Sequence, residues 1–203
     1  MIGLLLLAGG GSCAASPAKR IVILGDSITA GFGVERSQAY PALLQRKLDA
    51  AGLSFEIVNA GVSGDTTAGG LRRVGWTLGT GAAVFVIALG GNDGLRGVPV
   101  SQTQANLEGM IRAVRAKSPE TLIVLAGMQL PENFGIDFRE SFAAVFPRVA
   151  AQCTTLLVPF LLEGVGGIPE LNQEDAIHPN VEGQRRVAEN VWRVLEGALK
   201  QAR

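Results

Sequence analysis

The sequence predicts a doubly wound α/β fold: a three-layer α/β/α sandwich around a five-stranded parallel sheet. Three observations point there. Five short runs of β-favouring apolar residues alternate with segments that repeat apolar residues at helical spacing. The third run, residues 83–89, is almost continuously apolar, as strands covered on both faces are. The chain also holds 27 glycines, many of them where apolar runs stop, which suits a fold of many tight turns. With no internal repeat and no linker, residues 20–203 read as one domain. Strand order is invisible in a sequence. The flavodoxin-like order 2-1-3-4-5, with its switch point between strands one and three, is assigned by analogy.

Taken in order, Ile21-Val22-Ile23-Leu24 is the first strand and runs straight into Gly25-Asp26-Ser27. Tyr40, Leu43, Leu44 and Leu48 follow at helical spacing and stop at Gly52, a suitable left-handed end. Residues 55–59 alternate as a second strand, and residues 60–67 form the loop after it. Leu71, Val74 and Leu78 mark another helix. The third strand stops at Gly90-Gly91-Asn92-Asp93. Ser101 and Gln104 make a capping-box pattern ahead of Leu107, Met110, Ile111 and Val114, and Pro119 closes that helix. Residues 122–126 are the fourth strand. Phe138, Phe142, Val145 and Val149 describe a helix that Pro147 should kink or break. Residues 155–160 are the fifth strand. A terminal helix starts at Asn180 and carries Val187, Val191, Val194, Leu195 and Leu199 on one face.

Composition excludes several classes of function. Eighteen basic and eighteen acidic residues cancel, so the basic face that nucleic acid requires is missing. Aromatic residues are 5% of the chain, too few for a base-stacking platform. Residues 1–14 differ from the rest: the apolar run Ile2-Gly3-Leu4-Leu5-Leu6-Leu7-Ala8 is too short to span a bilayer. It fits the apolar part of a secretory signal, with Ser12 and Ala14 suiting cleavage after Ala14, although no Lys or Arg precedes it. This predicts export to the periplasm or medium. Lipidation of Cys13 is a variant of that reading, weakened by Gly10, and a frayed cytoplasmic extension is the plain alternative. Two cysteines and one histidine cannot build an ordinary zinc site. Cys153, among Val149, Ala150, Ala151 and Leu156, reads as a small buried hydrophobe.

Chemistry gathers at the carboxyl edge of the predicted sheet, where open α/β folds bind ligands. Ser27 stands at the end of the first strand. Alone, Gly25-Asp26-Ser27 is as well explained by Asp26 or Ser27 capping a helix. The sole histidine, His178, lies between the last strand and the last helix and is held extended by Pro179. Asp175, three residues earlier, can accept the Nδ1 proton and leave Nε2 facing a serine hydroxyl, as a general base requires. Glu174 is its competitor, and an exposed loop acid is the bland reading of either. An acyl transfer also needs donors for a tetrahedral oxyanion. The candidates are the N–H of Ser27, the N–H of Gly61 after strand two and the side-chain amide of Asn92 after strand three. Gly61 could equally be a turn glycine and Asn92 a cap. The Ser, Asp, His order matches that of α/β-hydrolases, but their Gly-x-Ser-x-Gly elbow is absent.

Gly25-Asp26-Ser27-Ile28, Gly61, Gly90-x-Asn92-Asp93 and Asp175-x-x-His178 resemble the four blocks of the SGNH (GDSL) hydrolase family. The stretches Gly90-Gly91-Asn92-Asp93-Gly94-Leu95-Arg96-Gly97 and Ile177-His178-Pro179-Asn180 resemble its bacterial arylesterase and acyl-CoA thioesterase/lysophospholipase branch. The resemblance covers roughly residues 21–199. It implies Ser27 as nucleophile, His178 as base, Asp175 as its orienting acid, and Ser27, Gly61 and Asn92 as oxyanion hole. It implies a serine esterase or thioesterase acting on a small acyl ester or thioester through an acyl-enzyme, with no cofactor and no metal. Members of that branch are often exported, in agreement with the N-terminal run.

Leu95, Met128 and Leu130, in loops after strands three and four, are the candidate acyl contacts, unless they simply anchor those loops. Phe134, Phe138 and Leu162 could lengthen such a groove. Two rival readings stand beside the esterase. A carbohydrate O-deacetylase or acyltransferase would use the same triad. A receiver domain would hold Mg²⁺ between Asp26, Asp65 and Asp93 but leaves His178 and Asn92 without a role. Those aspartates are otherwise loop organisers that accept from backbone N–H groups.

Overall fold

Residues 19–201 are described by a computed structural model of the chain. The strands are β1 (Lys19–Gly25), β2 (Phe55–Gly61), β3 (Val84–Ala88), β4 (Leu122–Ala126) and β5 (Leu156–Val158). They form one parallel sheet in the order β2-β1-β3-β4-β5, the order expected. The helices are α1 (Ser27–Ala30), α2 (Tyr40–Ala50), α3 (Thr67–Leu78), α4 (Gly91–Leu95), α5 (Val100–Lys117), α6 (Ile136–Ala143), α7 (Val145–Gln152) and α8 (Val181–Gln201). Short 3-10 turns occupy Arg36–Gln38 and Pro169–Leu171. The chain steps outward from β1 to β2, then back past β1 to β3. Right-handed crossovers must therefore lay α2 on one face and α3 on the other. Accordingly α2 packs on α8, while α3 packs on α5 and α5 on α7.

The central strands are apolar on both faces because both faces are covered. Ile21, Val22, Ile23 and Leu24 have no exposed surface, nor do Phe85, Val86 and Ile87. Each such side chain contributes roughly 1.5–3 kcal/mol on leaving water. Polar ties cross this core where the site is built. Tyr40, fully buried, hydrogen-bonds through its Oη to Thr29 Oγ1 at 2.8 Å. Gln184 of α8 accepts from Tyr40 N at 2.9 Å and donates to Ile28 O at 3.3 Å. One carboxamide thus joins α1, α2 and α8. The outer edge of β2 is closed by Gln45, which accepts from Ile57 N at 2.7 Å and donates to Phe55 O at 3.0 Å, blunting a free strand edge.

Four details depart from the sequence reading. Ser101 does not cap α5: the helix begins at Val100 behind Pro99 with no side-chain cap, and Gln104 donates to Glu108 instead. Pro147 follows the expected break by three residues, the interruption between α6 and α7 falling at Ala144. It occupies the third position of α7, where an N–H would have no intrahelical partner to lose. The fifth strand is three residues long rather than six, and α1 and α4 are too short for any helical period to announce. Asn180 does start the terminal helix, its Oδ1 accepting from Glu182 N and Gly183 N at 3.0 and 3.1 Å. Residues 1–14, with the expected signal and Cys13, lie outside the described residues.

Candidate active site

The turn after β1 divides capping and chemistry between two residues. Asp26 is the N-cap of α1, its Oδ1 accepting from Ile28 N at 3.0 Å. Ser27 is therefore the first helical residue, and its hydroxyl is not needed for the cap. Its N–H opens the helix, where no preceding carbonyl is placed to accept it. Burial of Asp26, only 2% exposed, raises its pKa from 3.8 to about 6, against the lowering effects of Ile28 N–H and the nearby His178.

Three residues far apart in the chain form one line of hydrogen bonds. Ser27 Oγ lies 2.8 Å from His178 Nε2, and His178 Nδ1 lies 2.6 Å from Asp175 Oδ2. The other carboxylate oxygen of Asp175 accepts from Ile177 N and His178 N, both at 3.0 Å. Partial desolvation of Asp175 is outweighed by those two N–H groups and the imidazole, which hold its pKa down to about 2. The carboxylate is thus charged at neutral pH and faces Nδ1, while Glu174 makes no such contact. Ala176 between them is held at φ +57°, a left-handed conformation uncommon for a residue with a side chain. Gln173 N donates to His178 O at 2.8 Å and Ala176 N to Gln173 O at 2.9 Å, closing the turn. Phe32 covers the imidazole, ring centroids 4.6 Å apart.

The candidate oxyanion donors divide. Asn92 is aimed over the same edge by Gly90, whose φ of +125° a residue with a Cβ would rarely adopt. Its Nδ2 donates to Asp65 O at 3.0 Å, and its second hydrogen has only a long 3.4 Å contact with Asp26 Oδ2. Gly61 is a correction. It still belongs to β2, paired with Gly25, and its N–H points to the outer edge and donates to Asn59 Oδ1 at 2.9 Å. A glycine is needed there for a different reason: a Cβ would stand 2.3 Å from Ala30 N and 2.7 Å from Thr29 C. Gly61 lets α1 sit directly on β2. The loop glycine beside Asn92 is Gly64, whose carbonyl accepts from Arg96 and whose N–H makes no hydrogen bond among the described residues.

Sequence reasoning also missed Arg73. From α3 its guanidinium donates to Asp65 Oδ2 at 2.7 Å, Ala60 O at 2.8 Å and Gly25 O at 2.9 Å. It fastens the loop holding Gly64 to the ends of β1 and β2. Nothing in the helical period distinguishes it from its neighbour Arg72. The three aspartates weighed as a cation site are each occupied with hydrogen bonds: Asp65 Oδ1 accepts from Thr66 N, and Asp93 accepts from Thr67 N at 2.8 Å and Thr67 Oγ1 at 2.5 Å.

Met128 and Leu130 also require correction. They are 3% and 6% exposed and belong to the core, Leu130 filling the space beside Gly94 and Phe142. They anchor the loop after β4. Leu95, 36% exposed, is the one of the three with substantial surface to offer a ligand. Phe134 and Phe138 are partly buried and continue a ladder of rings through Phe142 to Phe146.

Comparison with known proteins adds an independent line. The GDSL-like lipase/acylhydrolase family matches residues 23–186. Esterase TesA of Pseudomonas aeruginosa is 46% identical over 183 residues, covering 90% of each chain. Thioesterase 1/protease 1/lysophospholipase L1 of Escherichia coli is 38% identical over 183 residues, covering 90% of this chain and 86% of that one. A crystal structure of TesA superposes with a TM-score of 0.84 over 88% of this chain and 99% of its own.

Proposed function

The chain belongs to the GDSL-like lipase/acylhydrolase family, and from that membership and the geometry of its carboxyl edge we propose an acyl-enzyme mechanism run by Ser27, His178 and Asp175. The protein is a carboxylic ester hydrolase that cleaves ester and thioester bonds of small acyl substrates. The observation that carries the mechanism is the continuous relay from Asp175 to His178 to Ser27, with steps of 2.6 and 2.8 Å. His178 Nε2 takes the hydroxyl proton as Ser27 Oγ attacks the acyl carbon. Asp175, held charged by its N–H donors, fixes the tautomer and balances the imidazolium. The tetrahedral oxyanion forms beside Ser27 N–H, the second hydrogen of Asn92 Nδ2 and Gly64 N–H, the last replacing Gly61. His178 then gives its proton to the departing alcohol or thiol, and water repeats the sequence on the acyl-serine.

The partner is a small-molecule ester or thioester. Among the described residues no helix is long and apolar enough to cross a membrane. We also propose that the apolar run within residues 1–14 directs the chain out of the cytoplasm. The test uses a p-nitrophenyl ester and a fluorophosphonate probe. Ser27→Ala and His178→Ala each reduce turnover to near background while leaving the melting temperature within a few degrees, and the probe labels Ser27. Asn92→Ala lowers kcat by on the order of 10²–10³. Full turnover in a folded Ser27→Ala protein would end the mechanism.

A further inference from the structure

The base and its orienting acid are held in one closed loop. Residues 172–179 fold back as a hairpin, bridged at Asn172 and Pro179 and closed by Gln173 N donating to His178 O at 2.8 Å. Asn172 Nδ2 ties the hairpin to Val165 O and Ile168 O at 2.6 and 2.8 Å, and the following Asn180 Nδ2 donates to Glu170 O at 2.8 Å. All of these bonds are local, and none reaches the segment that carries Ser27. Among the described residues, only two hydrogen bonds join residues 172–179 to residues 26–35. One is the Ser27–His178 step itself. The other comes from Gln173, whose half-buried carboxamide donates through Nε2 to Phe32 O at 2.7 Å, and also to Pro179 O at 3.1 Å. Phe32 N donates in turn to Ser27 O at 3.0 Å, and its ring covers the imidazole. The carboxamide therefore connects the hairpin of His178 to the backbone of the nucleophile's own residue. Gly33 leaves it room: a Cβ there would stand 2.0 Å from Gln173 Oε1.

The two connections are not equally durable. Once the acyl group sits on Ser27, Oγ has no proton to share and its bond to His178 is gone. Deacylation then needs Nε2 to accept a proton from water as the water oxygen bonds the acyl carbon. The acyl C–Oγ bond breaks, and His178 returns the proton to Oγ. Through that half of the cycle the Gln173 carboxamide is the hydrogen bond that remains between the hairpin and the Ser27 segment. We infer that Gln173 is a positioning residue for deacylation, holding His178 in place while the Ser27–His178 hydrogen bond is absent. The inference rests on the acyl-enzyme reading and gives a residue to its second half.

Gln173→Met keeps the length of the side chain and removes its donors. A displacement of about 1 Å can cost on the order of 10² in rate, so on p-nitrophenyl butyrate kcat should fall by about tenfold or more. KM should fall with it, leaving kcat/KM within about threefold of wild type, because acyl-enzyme accumulates. Stopped-flow traces should show a burst of p-nitrophenolate, and mass spectrometry of quenched protein should find butyryl on Ser27. Gly33→Ala pushes the carboxamide away from the other side and should give the same pattern, so it serves if Gln173→Met does not fold. A folded variant with wild-type kcat overturns the inference, as do kcat and kcat/KM falling together without a burst. Absence of acyl-serine in every protein, with full turnover in Ser27→Ala, ends the acyl-enzyme reading and the inference with it. A second arm does not depend on turnover. His178 is the sole histidine, so in untagged protein its imidazole protons are unambiguous by NMR. In Ser27→Ala, where the hydroxyl is already missing, their ring-current shift from Phe32 should persist, and adding Gln173→Met should abolish it. A shift that persists in the double variant overturns the inference whatever the fate of the catalytic reading.

Discussion

Replacing Asp26 with Asn should stabilise the protein, and only at neutral and alkaline pH. The carboxyl is buried beside Ser27, and burial lifts its pKa from 3.8 to about 6. A group whose pKa is raised on folding favours the folded state fully below its unfolded value. That contribution is lost as pH climbs through the folded value. Between pH 4 and pH 7 the wild type therefore loses about 3 kcal/mol from this one residue, the distance from 3.8 to about 6 at about 1.4 kcal/mol per pH unit. Asn has the same shape and keeps the Oδ1 that accepts from Ile28 N, so the cap survives while the titration disappears. Urea denaturation of both proteins from pH 4 to pH 8 measures the difference directly, because every other titrating group is common to the two. The curves should coincide at pH 4 and separate by up to about 3 kcal/mol at pH 8, with the variant more stable. In melting temperature this is roughly 6–12 °C for a chain of this size. A variant no more stable than wild type at pH 8, or a separation independent of pH, would refute the reasoning.

Two further substitutions probe the frame around Ser27. Arg73→Ala removes the clamp on Gly25, Ala60 and Asp65, and should lower kcat by about tenfold or more with little change in KM. Arg73→Lys, which can keep one of the three contacts, should recover part of that loss in steady-state kinetics on a p-nitrophenyl ester. Gly61→Ala drives a methyl group into the backbone of Thr29 and Ala30, so it should cost about 1–3 kcal/mol by denaturant unfolding and depress activity by displacing α1. Wild-type stability in Gly61→Ala would contradict the close approach.

Much of the fold was legible because its signals are local. Apolar runs, helical periods and glycine stops each occupy a few residues, and an alternating chain has few ways to wind. The pairing of Asp175 with His178 was legible for the same reason, a three-residue spacing and a following proline within one turn of the chain, whereas their meeting with Ser27, 151 residues away, followed from the shared sheet edge and the family resemblance. The misreadings concern distances across the fold. How far β2 runs depends on its register with β1, and that register keeps Gly61 inside the strand and hands the loop position to Gly64. Whether Met128 and Leu130 meet solvent depends on α6 and α7, whose Phe142 lies with Leu130 at Gly94 and whose Phe146 lies with Met128 at Gly90. The partners of Arg73 lie up to 48 residues away, a contact no period can encode.

The Gln184 carboxamide, bonded to both Tyr40 and Ile28, has a consequence for the timing of activity in the cell. Ser27 emerges from the ribosome early, but the imidazole it works with is 151 residues behind it. At typical rates of synthesis that interval is roughly 8–30 s. Throughout it the growing chain carries a serine with no base, on a short helix whose tie from α8 has not yet been made. A nascent chain cannot run the proposed relay before His178 has been made. The last helix to be made is the one that arms the first residue of the relay.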